Sequence, residues 1–166
     1  MTDSKENKLQ SQLLPQGRVK VVKGSILTPH NAGLRFILSP CNLVGKPEGN
    51  PMLPLFDKKW RKVREESRGW FATKTGAYKL GAINTTAVQS DTWVIHMLCQ
   101  DDELQLNAEA LKKCLNEVCK VAKYEKATVH VSTVLTNEFG ELPDLLTECL
   151  VNQGVSVSYY EENETT

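Results

Sequence analysis

The stretch from Asn107 to Val131 constrains the fold most, because its hydrophobic period changes halfway along. Through residues 107–123, apolar side chains recur at helical intervals of three and four, as on one side of an amphipathic helix. From Ala127 to Val131, apolar and polar residues alternate instead, as in a short strand. A helix feeding a strand is half of an α/β unit, and open α/β sheets bind ligands beyond the carboxyl ends of their strands. We therefore predict that Ser132–Gly140 is a loop leaving the carboxyl end of this strand and that it forms part of the wall of any small-molecule site.

The same alternation of periods continues along the rest of the chain. Hydrophobic patterning predicts further strands and helices, the strands at Arg18–Val22, Leu34–Leu38, Gly81–Val88, Trp93–Leu98 and Val155–Tyr159, and the helices at Leu55–Arg68 and Leu142–Gln153. The segment Cys41–Pro54 is broken by glycines and prolines and is predicted as a loop, of a length that is usually functional or mobile. This order predicts an α/β/α domain with a mixed sheet covered by helices on both faces.

The length of 166 residues suits one domain. We predict a domain over residues 18–160, a polar leader over residues 1–17 and a polar tail over residues 161–166. No apolar run approaches the roughly 18 residues that a membrane span needs, which predicts a soluble intracellular protein, cytoplasmic or nuclear. The five cysteines are odd in number and irregularly spaced, which argues against a disulfide framework.

Charge is distributed unevenly along the sequence. Residues 1–83 contain 15 Lys/Arg and 6 Asp/Glu, a balance of +9, and residues 84–166 contain 5 and 14, a balance of −9. Such asymmetry indicates either an anion-facing half or two halves that interleave in space and cancel. A basic cluster within the first half has the same two interpretations. It is either an anion-binding patch or a solvated helix face with Trp60 turned into the core, and its cations are Lys58, Lys59, Arg61, Lys62, Arg64 and Arg68.

The histidines and cysteines raise two further hypotheses. The chain has no Cys-x-x-Cys pair, so we predict no metal site, and no cofactor is indicated. Cys41, at the end of a predicted strand, is a candidate nucleophile if its thiol pKa is lowered.

Several segments together resemble the macro domain, the fold that binds ADP-ribose. The resemblance covers residues 18–160 and is closest to the macro domains of chromatin-remodelling helicases and to small stand-alone relatives. It rests on seven stretches, namely Val21–Pro29, Cys41–Asn42, Lys79–Ile83, Trp93–Leu98, Ala110–Leu115, Lys126–Val131 and Gly154–Tyr160. It implies a three-layer α/β/α domain with a mixed, mostly parallel six-stranded sheet.

The resemblance also implies a ligand site at the strand ends. Ser25 stands where the family has an aspartate that accepts a hydrogen bond from adenine, and Asn42 matches an asparagine on the ribose side. The phosphate loops are reduced to a few glycines and short polar residues, which assigns ligand contacts to Gly45, Gly49, Ser132, Thr133, Thr136 and Gly140. The lysine and aspartate of hydrolytic relatives have no counterpart in Leu98–Gln100 or Glu138–Gly140.

Three functions follow from this pattern. The first is binding of ADP-ribose, a related nucleotide or an ADP-ribosylated protein at the strand-end site. The second is hydrolysis of an ADP-ribosyl or ADP-ribose phosphate group. The third is a scaffold with a degenerate site that binds protein or nucleic acid, with Lys58, Lys59, Arg61 and Lys62 facing an anionic partner.

Overall fold

The computed structural model describes residues 16–73 and 76–162, so most of the predicted leader and the end of the predicted tail lie outside the described residues. Six strands form the sheet: β1 (Val19–Lys23), β2 (Arg35–Asn42), β3 (Ile83–Gln89), β4 (Thr92–Gln100), β5 (Thr128–Ser132) and β6 (Val157–Glu161). The helices are α1 (Leu53–Phe56), α2 (Lys62–Ala72), α3 (Ala108–Glu125), α4 (Thr133–Glu138) and α5 (Leu142–Cys149). Short 3-10 turns cover Pro47–Gly49 and Val151–Gln153.

The sheet is mixed and mostly parallel, as predicted. Its strand order is β1-β6-β5-β2-β4-β3, and only β3 runs antiparallel to its neighbour β4. Strands β6 and β5, from the acidic half of the sequence, lie between β1 and β2, from the basic half. The two halves therefore interleave in space.

Helices cover both faces of the sheet. Helices α3 and α5 pack together on one side, where α3 buries an apolar stripe that includes Leu111, Leu115 and Val118. The segment carrying α1 and α2 covers the other side and buries Phe56, Trp60 and Val63. Trp60 is thus turned into the core. Of the helices in the described ranges, none combines the length and apolar character of a membrane span.

The predicted helix Leu55–Arg68 is wrong as a single element. The chain forms α1, turns, and then forms α2. The turn buries Trp60 and lets the ammonium of Lys59 donate a 2.7 Å hydrogen bond to the carbonyl of Leu27.

The prediction that Ser132–Gly140 is a loop is also wrong for most of its length, because α4 occupies it. The buried Ser132 is the N-cap of this helix, and its hydroxyl accepts a 3.1 Å hydrogen bond from the amide of Val134. Serine directly before a helix-forming run is an N-cap signal, and the polar character of the segment concealed it.

Candidate functional site

A small cavity lies beyond the carboxyl end of β2, where open α/β sheets bind ligands. We call it the strand-end cleft. Its volume is about 40 Å³, and its walls include Cys41, Asn42, Lys46, Arg64, Arg68 and Tyr78. Pockets for small molecules usually measure about 300–1,000 Å³. In this conformation the cleft therefore has room for water or a small ion, and not for a dinucleotide.

Asn42 organises the loop that closes the cleft. Its side-chain oxygen accepts hydrogen bonds from the amides of Val44 (3.2 Å) and Lys46 (3.0 Å), and its side-chain nitrogen donates to the carbonyl of Lys46 (2.7 Å). A carboxamide offers two acceptor positions and two donor hydrogens, so three of the four are already used. The ribose contact predicted for Asn42 has only one N–H available in this conformation.

Gly45 and Gly49 are held by packing inside the same loop. Gly45 has a φ of +65°, and a Cβ there would lie 2.4 Å from the ring of Phe71. A Cβ on Gly49 would lie 2.9 Å from the side-chain nitrogen of Asn42. Both positions require glycine because neighbouring side chains approach the backbone closely. The space beside these two glycines, which we predicted a phosphate would occupy, is therefore filled by the side chains of Phe71 and Asn42.

An aromatic cluster covers this loop. The ring of Tyr78 makes edge-on contacts with the rings of Trp70 (centroids 4.8 Å apart) and Phe71 (5.6 Å apart). The hydroxyl of Tyr78 donates a 2.7 Å hydrogen bond to the carbonyl of Asn42. This cluster fixes the loop after β2 against the end of α2.

The cleft is nonetheless cationic. Lys46, Arg64 and Arg68 line it together. The guanidinium of Arg64 forms a 2.8 Å ion pair with Asp57, whereas Arg68 makes no hydrogen bond or ion pair among the described residues. The cleft therefore presents positive charge that the protein has only partly neutralised.

Cys41 lies in the wall of the cleft but is not an activated nucleophile. Its sulfur lies 3.5 Å from the hydroxyl of Ser67, and burial raises the pKa of the thiol to about 11. Because the thiolate is the reactive form, a thiol that remains protonated at neutral pH is a poor nucleophile. The structure therefore gives no support to the nucleophile hypothesis.

A carboxylate lies next to the predicted adenine-side residue. The hydroxyl of Ser25 accepts a hydrogen bond from the amide of Leu27 (3.1 Å), and the amide of Ile26 donates to a carboxylate oxygen of Glu162 (2.8 Å). An acid from beyond the last strand thus sits beside the position where Ser25 lacks one. The sequence does not single out Glu162, because residues 161–166 are predicted as a polar tail.

The remaining predicted contacts do not line the cavity that contains Asn42. Ser132 caps α4, the hydroxyl of Thr133 donates to the carbonyl of Tyr160 (3.1 Å), and that of Thr136 donates to the carbonyl of Thr133 (3.3 Å). Gly140 is exposed, with open space around it. The structure therefore brings together Asn42, Gly45 and the cations and leaves these four residues in a separate group around α4.

Comparison with known proteins identifies the architecture. No protein-family model matches the sequence, and no curated protein does. Among solved structures, a macrodomain protein from Streptomyces coelicolor superposes with a TM-score of 0.77 at 22% identity, over 88% of this chain and 100% of that one. A protein from Bacteroides thetaiotaomicron gives the same four values. The macrodomain of Thermus aquaticus DarG superposes with a TM-score of 0.63 at 13% identity, over 87% of this chain and 99% of that one.

Identities this low establish architecture and not activity. This chain has the macrodomain fold.

Proposed function

We propose that this domain binds ADP-ribose, or a closely related nucleotide carrying a diphosphate, in the strand-end cleft. The observation that carries the proposal is the meeting of Lys46, Arg64 and Arg68 at the strand ends of a macrodomain fold. A diphosphate needs positive charge and donors at that position. Arg68 has no partner among the described residues and is therefore the cation best able to meet a ligand.

Glu162 supports the same assignment on the adenine side. Adenine carries an exocyclic amino group, which needs an acceptor, and a charged acceptor makes a stronger hydrogen bond than a hydroxyl does. Ser25 supplies only a hydroxyl, and the carboxylate of Glu162 lies on the amide of the next residue. We assign Glu162 the acceptor role that the resemblance implied for Ser25.

Binding requires the cleft to open. A ligand of this size cannot enter a cavity of about 40 Å³. The parts that must move are the loop after β2 and the aromatic cover of Phe71 and Tyr78. We therefore expect ADP-ribose binding to be coupled to displacement of these aromatic side chains.

Titration calorimetry with ADP-ribose tests the proposal. The wild-type protein should give saturable heat, and Arg68→Glu should weaken binding at least about tenfold, because it reverses the unpaired charge that faces the ligand. Lys62→Glu is the matched control, since it makes the same charge change on the same helix outside the cleft. Absence of heat at millimolar ADP-ribose, or equal losses in the two variants, would overturn the proposal.

A second candidate function is favoured by the closed state of the site. The hydrogen-bonding groups of Asn42, Ser25 and Ser132 are engaged within the protein, which suits a scaffold whose ligand site is degenerate. Such a domain would bind an anionic protein or nucleic acid through the exposed cations Lys58, Lys59, Arg61 and Lys62. Salt-sensitive oligonucleotide binding that is lost on reversing these charges, with no heat from ADP-ribose, would establish this function instead.

Hydrolysis is the third function implied by the resemblance, and it is tested in the same preparation. Incubation with an ADP-ribosylated protein, followed by measurement of released ADP-ribose, reports it directly. Because the Cys41 thiol stays protonated, we expect Cys41→Ser to leave any such activity unchanged.

A further inference from the structure

A second pocket lies at the opposite end of the sheet, where β1, β5 and β6 begin. We call it the amino-end pocket. Its volume is about 240 Å³, and its walls include Arg18, Lys20, Asn31, Thr128, Ser156 and Ser158. The proposed ADP-ribose site uses none of these residues.

The charge in this pocket is positive and weakly opposed. The ammonium of Lys20 contacts the side-chain oxygen of Asn31 at 3.3 Å, and the guanidinium of Arg18 makes no ion pair or hydrogen bond among the described residues. Among those residues, no aspartate or glutamate lines the pocket. The pocket therefore contains two cations whose positive charge is not neutralised by an acidic residue of its walls.

Ser158 gives the pocket a free polar group. The residue is 3% exposed, and its hydroxyl makes no hydrogen bond among the described residues. Its oxygen is not one of the fully buried atoms that lack a partner, so the hydroxyl is accessible from the pocket. An accessible hydroxyl without a partner in a cationic pocket suits a ligand that accepts hydrogen bonds.

Thr128 is connected to a buried hydrogen-bonded relay. Its hydroxyl lies 2.7 Å from Nε2 of His130, and Nδ1 of His130 lies 2.7 Å from the hydroxyl of Tyr160. That hydroxyl in turn accepts a hydrogen bond from the amide of His30 at 2.8 Å. The relay runs from a backbone amide through the core to the pocket wall.

The direction of this relay follows from the groups in it. Burial is the main cause that raises the pKa of Tyr160, so the phenol keeps its proton and donates a hydrogen bond to Nδ1 of His130. Burial, with the nearby charge of Arg35, lowers the pKa of His130 to about 3, so the ring is neutral and carries its one hydrogen on Nε2. That N–H donates to the oxygen of Thr128. The hydroxyl hydrogen of Thr128 is then free to point into the pocket.

We propose that the amino-end pocket binds the phosphate group of a small phosphate monoester. Arg18 and Lys20 supply the charge, and the hydroxyls of Thr128 and Ser158 donate hydrogen bonds to the phosphate oxygens. The volume is below that of usual drug-sized pockets, which favours a phosphate carrying a short organic group over a whole nucleotide. This site is independent of the strand-end cleft, so either proposal stands if the other fails.

Titration calorimetry with inorganic phosphate and with glycerol 3-phosphate tests this proposal. We expect saturable binding of both, with glycerol 3-phosphate tighter. No heat at millimolar concentration of either probe would overturn the site. Equal affinity for the two probes would overturn the assignment to a monoester.

Two substitutions test whether the phosphate binds in the amino-end pocket. Lys20→Glu should weaken glycerol 3-phosphate binding at least about tenfold, whereas Lys23→Glu, the same change on the same strand outside the pocket, should leave it unchanged. Equal effects of the two variants would show attraction by general surface charge and would overturn the proposal.

Thr128 provides the test of the relay. Thr128→Val should weaken glycerol 3-phosphate binding because it removes the hydroxyl donor, and Thr128→Ser should restore it. Both variants keep the strand, and circular dichroism checks that each is folded. Full binding by the folded Val variant would overturn the role of Thr128.

Discussion

The two ends of the sheet differ in how their polar groups are used. At the carboxyl end, the amide of Asn42, the hydroxyl of Ser132 and the amide of Ile26 all have partners within the chain. At the amino end, Ser158 is as deeply buried as Asn42, but its hydroxyl has no partner among the described residues. The end that the sequence marks as a ligand site is closed, although the buried side-chain oxygen of Gln100 has no partner there among the described residues, and the end that it does not mark is open.

For ligand binding, the free hydrogen-bonding capacity of a residue therefore matters more than the type of residue. A buried polar group that already has its partners stabilises the fold and offers a ligand little. One that lacks a partner costs stability until a ligand or water supplies it. The contrast between the ends can therefore be tested by measuring stability as well as binding.

Acid should have the largest effect, and it acts on the amino end through His130. Burial lowers the pKa of His130 to about 3 and that of His96 to about 4, both below the unfolded value of about 6.5. Below pH 6.5 the unfolded chain takes up protons that the folded chain does not, so stability falls with pH. Each histidine contributes about 1.4 kcal/mol per pH unit, which amounts to roughly 4 kcal/mol between pH 7 and pH 5.

Urea denaturation at several pH values between 7.5 and 5 measures this slope. His30→Gln is the matched control, because the His30 side chain is exposed and, although its ring lies 6.1 Å from that of Tyr160, its removal leaves His96 and His130 in place. The control should show the wild-type slope. A flat profile for the wild-type protein would show that His96 and His130 are not held neutral by burial.

Asn42→Ala and Ser158→Ala compare the two ends directly. Asn42→Ala removes three hydrogen bonds and leaves the amide of Lys46 without its acceptor, so unfolding should become easier by about 2–3 kcal/mol. Ser158→Ala removes a hydroxyl with no partner among the described residues and should change stability by no more than about 0.5 kcal/mol. Chemical denaturation measures both, and equal losses would remove the distinction between the ends.

Phe71→Ala should have a smaller effect, in the opposite direction. The ring of Phe71 covers Gly45 in the closed loop, so its removal lowers the cost of opening the cleft. We expect ADP-ribose to bind about tenfold more tightly, a gain of about 1.4 kcal/mol. Trp70→Ala is the control, since it also removes a ring that contacts Tyr78, whereas the ring that approaches Gly45 is that of Phe71. Weaker binding by Phe71→Ala than by the control would show that the ring contacts the ligand instead of blocking it.

The sequence predicted the architecture because it depends on hydrophobic period. The stripe through α3 buries one face of that helix, and β5, which lies inside the sheet, buries both of its faces while its apolar side chains alternate along the sequence. The short helix α4 was missed because its polar composition resembles that of a loop. Its one local signal is the serine that caps it.

The state of the candidate site depends on contacts distant in sequence and was not predictable in this way. Tyr78 reaches Asn42 across 36 positions, and Glu162 reaches Ile26 across 136. No period or short motif encodes such pairs. The relay through His130 is hidden for the same reason, since Tyr160 lies 30 positions away.

The bond between Glu162 and Ile26 preorganises the proposed adenine acceptor. The amide of Ile26 holds the carboxylate in place before a nucleotide arrives, so binding need not order that side chain. Glu162→Gln would remove the charge while preserving the shape of the side chain. The dissociation constant of the native protein is then set in part by a contact that forms when the chain folds.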